Sequence, residues 1–177
     1  MPTTDSLVIT LWETYGSNME AVATRVGEIL GIPVHGQGLS SDEIAELAAS
    51  DRTRVTADLA RRSAAAVEES ARAGGVIQGR NGAFILRDRP NTLHVKLDGI
   101  AERRARRAAE LAGIPFGEAV KRQELEDDVR VRMSLEAFQW DPRDIEAYDA
   151  IVNTSFQDTE ETAQFIAVMA RVRGGLL

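Results

Sequence analysis

The sequence contains no cysteine, which excludes disulfides, thiolate metal sites and cysteine nucleophiles. Its only two histidines, His35 and His94, lack the spacing of metal ligands, so we expect structural roles for them and assign no metal ligands. No apolar run reaches the roughly 18 residues that a membrane span needs. The opening residues MPTTDS lack the basic and apolar regions of a signal peptide, so we expect a cytoplasmic protein.

The charge balance narrows the class of partner. The chain has 177 residues, 44% of them hydrophobic, which is typical of one globular domain over residues 1–177. A net charge of -7 disfavours nucleic acid and anionic membranes as partners. A small anionic substrate is still compatible with this charge, because a local cluster of arginines can override it. Self-association into a homo-oligomer stays open.

Short apolar segments alternate with longer helical patterns along the chain. The predicted strands cover residues 7–11, 32–35, 75–78, 92–97 and 148–153. The predicted helices cover residues 18–30, 40–50, 53–72, 98–113, 114–140 and 158–172. This alternation predicts a parallel sheet with helices on both faces. In such sheets ligands bind beyond the carboxyl ends of the strands.

The turn between the first strand and the first helix is a candidate phosphate site, because helix N-termini present free N–H groups to anions. Gly16 allows close approach of the backbone, and Ser17 could cap the helix or bind a phosphate oxygen. In the phosphate-loop pattern G-x-x-x-x-G-K-[ST], however, Glu13, Asn18 and Met19 stand at the positions of the two glycines and the lysine. An ordinary strand–helix turn is therefore an alternative interpretation.

Two helices carry charged pairs at i, i+3 spacing. Arg103 shares a helix face with Arg106 and with Arg107, and such a pair could clamp phosphate oxygens or form a solvated face. Asp127 and Arg130 could contact a substrate or form an intrahelical ion pair. Arg80 directly follows the third strand between glycines, which favours a site at that strand end.

Three stretches together resemble the cytidylate kinase-like family of P-loop kinases. Residues 12–23, WETYGSNMEAVA, are similar to the family's S-R-x-Y-G-S-G-G-x-x-I-A. Residues 75–97, GVIQGRNGAFILRDRPNTLHVKL, resemble V-I-V-G-R-G-A-x-x-I-L-R-D-R-P-N-x-L-x-V, and this is the most specific block. Residues 140–155, WDPRDIEAYDAIVNTS, match its Trp-Asp-Pro and Tyr-Asp-x-x-x-Asn-Thr-Ser ending. The resemblance covers nearly the whole chain.

The resemblance implies a three-layer P-loop kinase-like domain with five parallel strands in the order 2-3-1-4-5. The implied activity is ATP-dependent phosphorylation of a nucleoside monophosphate, CMP or dCMP, with ATP and Mg²⁺ as cofactors. The implied phosphate-binding loop consists of Thr14, Tyr15, Gly16, Ser17, Asn18 and Met19. Substrate contacts fall on Arg80, Asp127 and Arg130, and neutralisation of the transferred charge falls on Arg103 and Arg106.

The chain departs from the family at three places in the implied site. The family's Gly-Gly is replaced by Asn18 and Met19, its arginine after the first strand by Glu13, and its F-Y-D-R by residues 34–37, VHGQ. Two alternatives therefore stand beside the kinase. One is a non-catalytic protein that binds a nucleotide or phosphometabolite, and the other is a kinase for a different small acceptor.

Overall fold

The strands form one parallel five-stranded sheet in a computed structural model that describes residues 6–36, 55–79 and 81–175. They are β1 (Val8–Glu13), β2 (Val34–His35), β3 (Gly75–Gln78), β4 (Thr92–Asp98) and β5 (Ala150–Asn153). Their spatial order is β2-β3-β1-β4-β5, and every pairing is parallel. The predicted fold class and strand order are therefore confirmed. The helix predicted over residues 40–50 lies outside the described residues.

The helices agree with the predicted ones to within a few residues, and a short one is added. They are α1 (Met19–Leu30), α2 (Val55–Ala73), α3 (Gly82–Ile85), α4 (Ala101–Ala112), α5 (Phe116–Phe138) and α6 (Thr159–Arg173). Left-handed Gly113 ends α4 and Pro115 precedes α5, because a glycine favours a helix end and a proline a helix start. Within the described part of the chain, no helix combines the length and the apolarity needed to cross a membrane.

Helices cover both faces of the sheet, as predicted. On one face, the β1 residues Ile9 and Leu11 pack with Val22 of α1 and Ile166 of α6. On the other face, an apolar cluster joins Val8, Ile77 and Leu86 to Val67 and Ala71 of α2. Because β1 is central and apolar on both sides, its position is fixed and its carboxyl end is held in the middle of the sheet.

Both histidines have structural contacts, as expected. His94 on β4 lies across from Thr10 on β1, with 2.7 Å between its Nδ1 atom and the threonine Oγ1 atom. Burial lowers the pKa of His94, so the neutral ring is favoured. The Nε2 atom of His35 lies 2.6 Å from the carbonyl oxygen of Gly74. These contacts connect neighbouring strands or the turns beside them.

We call the end of the sheet at which the parallel strands have their carboxyl ends the rim; it consists of Glu13, Gln78, Asp98, Asn153 and the residues that directly follow each of them. Hydrogen bonds connect neighbouring parts of the rim. The N–H of Thr14, after β1, donates to the carbonyl of Leu97 on β4 at 3.1 Å. The N–H of Thr154, after β5, donates to the carbonyl of Asp98 at 2.8 Å. The turn after β1 therefore lies beside the segments that follow β4 and β5.

Candidate functional site

The turn after β1, residues 14–18, lies directly against α4. Gly16 has a φ of +81°, and a Cβ atom on it would lie 2.2 Å from the carbonyl oxygen of Arg104. Asn18 is also left-handed, with a φ of 64°, and its side chain does not cap α1. The sequence needs glycine at position 16 because both the conformation and the space exclude a side chain there.

A carboxylate occupies the N-terminus of α1. The Oε2 atom of Glu13 accepts a hydrogen bond from the backbone N–H of Met19 at 2.9 Å. The side chain of Glu13 is only 17% exposed. Its burial raises its pKa, although Arg130 and the Met19 N–H oppose that rise. Glu13 therefore sits where unpaired N–H groups and the helix dipole attract an anion.

A second carboxylate holds the turn from the side of α5. Asp127 accepts the N–H of Tyr15 through Oδ1 at 2.6 Å. Its Oδ2 atom lies 3.2 Å from Nη1 of Arg104, whose side chain is buried. The predicted substrate-binding Asp127 thus binds the turn itself, which connects α5, α4 and the loop in one network.

Arg130, the other predicted substrate residue on α5, also reaches the turn. Its Nη1 atom donates to the main-chain oxygen of Glu13 at 3.2 Å and lies 3.7 Å from that residue's Oε1. Its Nη2 atom pairs with buried Glu126 at 3.3 Å. Asp127 and Arg130 therefore bind different partners around the turn, although their i, i+3 spacing also allowed an ion pair between them.

Two arginines of α4 contact the turn: Arg104, which the sequence did not assign to the site, and Arg107, which it offered only as a possible partner of Arg103. Arg104 donates from Nη1 to the carbonyl of Tyr15 at 2.7 Å and from Nε to the carbonyl of Gly99 at 3.0 Å. Arg107 donates from Nη1 to the carbonyl of Gly16 and to the hydroxyl of Thr154, both at 3.1 Å. Burial lowers the pKa of Arg107.

A pattern in α4 could have indicated this orientation. The small residues Ala105 and Ala108 are the ones that face the core, and Arg104 and Arg107 directly precede them. The i, i+3 spacing alone fits the pair Arg104 and Arg107 as well as any other pair on this helix.

The arginines predicted to neutralise transferred charge lie farther around α4. Arg103 donates to the carbonyl of Ser155 at 3.0 Å and lies 4.6 Å from the centre of the Phe156 ring. Arg106 is exposed, pairs with Glu102 at 2.6 Å and lies over the ring of Phe116. Arg103 thus reaches the segment after β5, whereas these contacts of Arg106 lie within α4 and at the start of α5. Their role in phosphate transfer stays a prediction.

The remaining side chains of the turn bind to their neighbours. Thr14 donates to Oδ1 of Asp98 at 2.9 Å, and its oxygen lies 3.2 Å from the buried hydroxyl of Ser17. Asn18 donates to the hydroxyl of Thr159 at 3.3 Å. Ser17 therefore stabilises the turn through Thr14 and does not cap α1, because Asn18 stands at the N-cap position. Binding of a phosphate oxygen by Ser17 stays a prediction.

Two polar residues lie at the ends of β3 and β4. Lys96 is buried, 3.3 Å from Oδ2 of Asp98 and over the ring of Trp12. Burial would raise the pKa of Asp98, but hydrogen bonds and the nearby cations outweigh it and lower the pKa. At the end of β3, the Oε1 atom of Gln78 is buried without a hydrogen-bond partner among the described residues. Arg80, two residues farther, lies outside the described residues, so its role stays a prediction.

The turn as folded does not fit the phosphates of ATP. The N–H of Met19 is already bound by Glu13, and Met19 itself is a buried apolar residue at the lysine position. Asp98 and Asp127 are each paired with a cation. In the ranges that the structure describes, no three carboxylate or histidine side chains are grouped as a metal site.

Comparisons with known proteins identify the family. The model of the cytidylate kinase-like family matches residues 39–156. A cytidylate kinase of Methanopyrus kandleri is 26% identical over 89% of each chain. A uronate isomerase of Corynebacterium glutamicum is 30% identical over 72% of this chain, and the chain spans a quarter of that relative's length.

Solved structures share the fold. An uncharacterized protein from Eubacterium ventriosum superposes with a TM-score of 0.77 at 20% identity, over 95% of this chain and 99% of that one. A gluconokinase from Sinorhizobium meliloti gives 0.57 at 16% identity, over 98% and 96%. At these identities the likeness concerns the fold, which is that of P-loop-like kinases. With the family match over two thirds of its length, the chain belongs to the cytidylate kinase-like family.

Proposed function

We propose that this chain binds a phosphorylated small molecule at the rim and does not transfer phosphate from ATP. By resemblance, the ligand class is a nucleoside monophosphate such as CMP or dCMP. The observation that carries the proposal is the set of charged side chains around the turn after β1. Three arginines contact the turn, while the carboxylate of Glu13 accepts the helix N–H that a polyphosphate would use.

The arginines support binding of a phosphate. Arg107 is half-buried between the turn and the segment after β5, and Arg103 lies at the outer side of the same segment. A guanidinium offers a planar fork of donors that matches phosphate oxygens. The Oε1 atom of Gln78, which has no hydrogen-bond partner within the described ranges, adds a buried acceptor at the rim, and a ligand N–H group could satisfy it.

Other features support the absence of ATP chemistry. Phosphoryl transfer needs cations that neutralise the charge spreading over the transferred oxygens. Here the guanidinium groups of Arg104 and Arg130 are each paired with a carboxylate, whereas Arg107 donates to uncharged oxygens of Gly16 and Thr154. In addition, the buried side chain of Met19 replaces a glycine of the family's loop. ATP and Mg²⁺ are therefore cofactors only of the second candidate, an ATP-dependent nucleoside monophosphate kinase. Membership of the family and the Methanopyrus relative favour that candidate.

A binding panel and a turnover assay distinguish the two candidates. Melting temperature would be measured with CMP, dCMP, UMP, AMP, ATP-Mg²⁺ and gluconate, because a ligand of the folded state raises it. ADP formation would be followed with ATP and each monophosphate. We expect at least one monophosphate to raise the melting temperature, no such rise with ATP-Mg²⁺, and no ADP formation.

Paired variants test the location of the site. Arg107→Ala should abolish the shift caused by the monophosphate, because it removes the guanidinium beside Gly16 and Thr154. Arg72→Ala is the matched control, since Arg72 forms an exposed intrahelical pair with Glu69 on α2. ADP formation that requires a monophosphate and is lost in Arg107→Ala would replace this proposal with the kinase. The absence of any shift with every compound would refute binding.

A further inference from the structure

We propose that Glu13 is an internal anion in the phosphate position of the turn, and that it determines which phosphorylated ligands the site accepts. Polyphosphates bind only when its carboxylate leaves the N–H of Met19. Monophosphates that contact the arginines of α4 do not need that N–H. The inference rests on the proposed function, because it assumes that the rim binds phosphate.

Competition for one donor is the first support. The N–H of Met19 is the first N–H of α1, and Glu13 accepts it at 2.9 Å. The side chain of Asn18, which precedes the helix, makes no capping hydrogen bond. A phosphate oxygen at this helix N-terminus would accept the same N–H. Glu13 and a phosphate group therefore exclude each other at this position.

Electrostatic repulsion adds to this competition. Besides the guanidinium of Arg130, the charged groups that act on Glu13 are the carboxylates of Glu126 and Asp127. A phosphate group placed beside the carboxylate of Glu13 would be repelled in a site where little water screens the charges. The Glu13 side chain is 17% exposed, so this repulsion is only partly screened.

Departure of the carboxylate would free one donor and would make its surroundings more positive. It would free the N–H of Met19, and it would remove one carboxylate from Arg130, whose Nη1 atom lies 3.7 Å from Oε1 of Glu13. Arg130 would keep its contacts with the main-chain oxygen of Glu13 and with Glu126, so a polyphosphate would meet a free N–H beside a less neutralised guanidinium. This coupling explains how one side chain can control discrimination between ligands with one and with several phosphates.

The experiment compares two ligands in two variants and a control. Calorimetric titrations with inorganic tripolyphosphate and with CMP would be made on the wild-type chain, Glu13→Gln and Glu13→Ala. Glu20→Gln is the matched control, because Glu20 lies in the first turn of the same helix while Glu13 keeps the Met19 N–H. Melting temperatures would show that each variant is folded.

We expect the ratio of tripolyphosphate affinity to CMP affinity to rise about 10- to 100-fold in Glu13→Ala, the range of one charge-assisted hydrogen bond. Glu13→Gln should raise this ratio less, because its amide oxygen can still accept the Met19 N–H but carries no charge. If Glu13→Ala does not fold, the comparison of Glu13→Gln with the wild type provides the test. An unchanged ratio in a folded variant, with CMP bound by the wild type, overturns this inference and leaves the proposed function standing. No binding of either ligand to any of the proteins overturns both.

Discussion

The N-termini of α1 and α6 each have backbone N–H groups without a partner in the helix, and carboxylates from different parts of the chain accept them. At α6, Asp158 accepts the N–H of Glu161 at 2.8 Å, and the Glu161 side chain accepts the N–H of Asp158 at 3.0 Å. At α1, Asn18 provides no cap, and the acceptor is Glu13 from the preceding strand. Both ends satisfy an unpaired N–H with a carboxylate.

The two helix ends differ in how far along the sequence the accepting carboxylate lies from the N–H group. The α6 cap comes from the residues that begin the helix, so the end is closed by its own sequence. The α1 end is closed by a strand residue across a turn that is itself held by α4 and α5. The N–H at the start of α6 is thus bound within its own first turn, whereas the N–H at the start of α1 is bound by an anion from another element, in the position where a helix N-terminus binds an external anion.

The largest expected effect concerns the network around the α1 end. Arg104→Ala should destabilise the fold by about 3–5 kcal/mol, because it removes a buried guanidinium that pairs with half-buried Asp127 and donates to the carbonyls of Tyr15 and Gly99. Chemical denaturation would measure the loss. Arg106→Ala, on the same helix but in an exposed pair with Glu102, should change stability little. Similar losses in the two variants would contradict the network.

Close packing of the turn gives the next largest effect. Gly16→Ala should cost about 2–4 kcal/mol, since it combines a left-handed residue with a clash against the Arg104 carbonyl. Gly31→Ala is the control for the conformation alone. Gly31 has a φ of +64° and open space around it, so about 1 kcal/mol is expected. Equal losses in thermal unfolding would show that the turn does not press against α4.

The α6 cap should show a smaller and purely structural effect. Asp158→Ala should lower stability by about 1 kcal/mol, the usual value for loss of an N-cap. It should leave the melting-temperature shift with CMP unchanged, because α6 begins with its own cap. A loss of CMP binding in Asp158→Ala would contradict the view that the N-terminus of α6 is purely structural and that only the N-terminus of α1 belongs to the ligand site.

The smallest effect is a pH dependence at Glu13. Its pKa is raised above the ordinary value of 4.5, so its favourable contribution is present at low pH and is lost as pH rises through the raised pKa. Glu13→Gln should therefore gain stability relative to the wild type between pH 5 and pH 8, by less than about 1 kcal/mol. Denaturation at pH 5 and pH 8 would measure this gain. A loss of stability of Glu13→Gln relative to the wild type over the same range would refute the destabilisation of the charged carboxylate by burial.

The fold was largely predictable from the sequence, because it depends on repeated local patterns. The apolar run of β1 and the helical spacing of α1 each located their element to within one or two residues. The helix predicted over residues 158–172 begins at Asp158, which is the residue that caps α6. The strand order came from the resemblance to a family and not from these patterns.

For the candidate site, the sequence indicated residues but not how they contact one another. The turn after β1 contacts Asp127 and Arg130, to which the resemblance assigns substrate contacts, and that substrate role stays a prediction. The i, i+3 spacing of charged residues did not predict their partners, because it defines faces of α4 but not how that helix is rotated against the turn; only the small residues Ala105 and Ala108 carry a signal for the rotation. Glu13 was recognised as a departure from the family, yet only tertiary structure shows that its carboxylate accepts the N–H of Met19.

The most direct test of the central claim is the pH titration of the Met19 amide by nuclear magnetic resonance. An amide proton that is bound to a carboxylate shifts as that carboxylate is protonated. We predict that the Met19 resonance of the wild type titrates with a midpoint above 4.5, and that Glu13→Gln removes this titration. A Met19 amide that is indifferent to pH in the folded wild type, or that titrates equally in Glu13→Gln, would contradict the occupation of the phosphate position by Glu13.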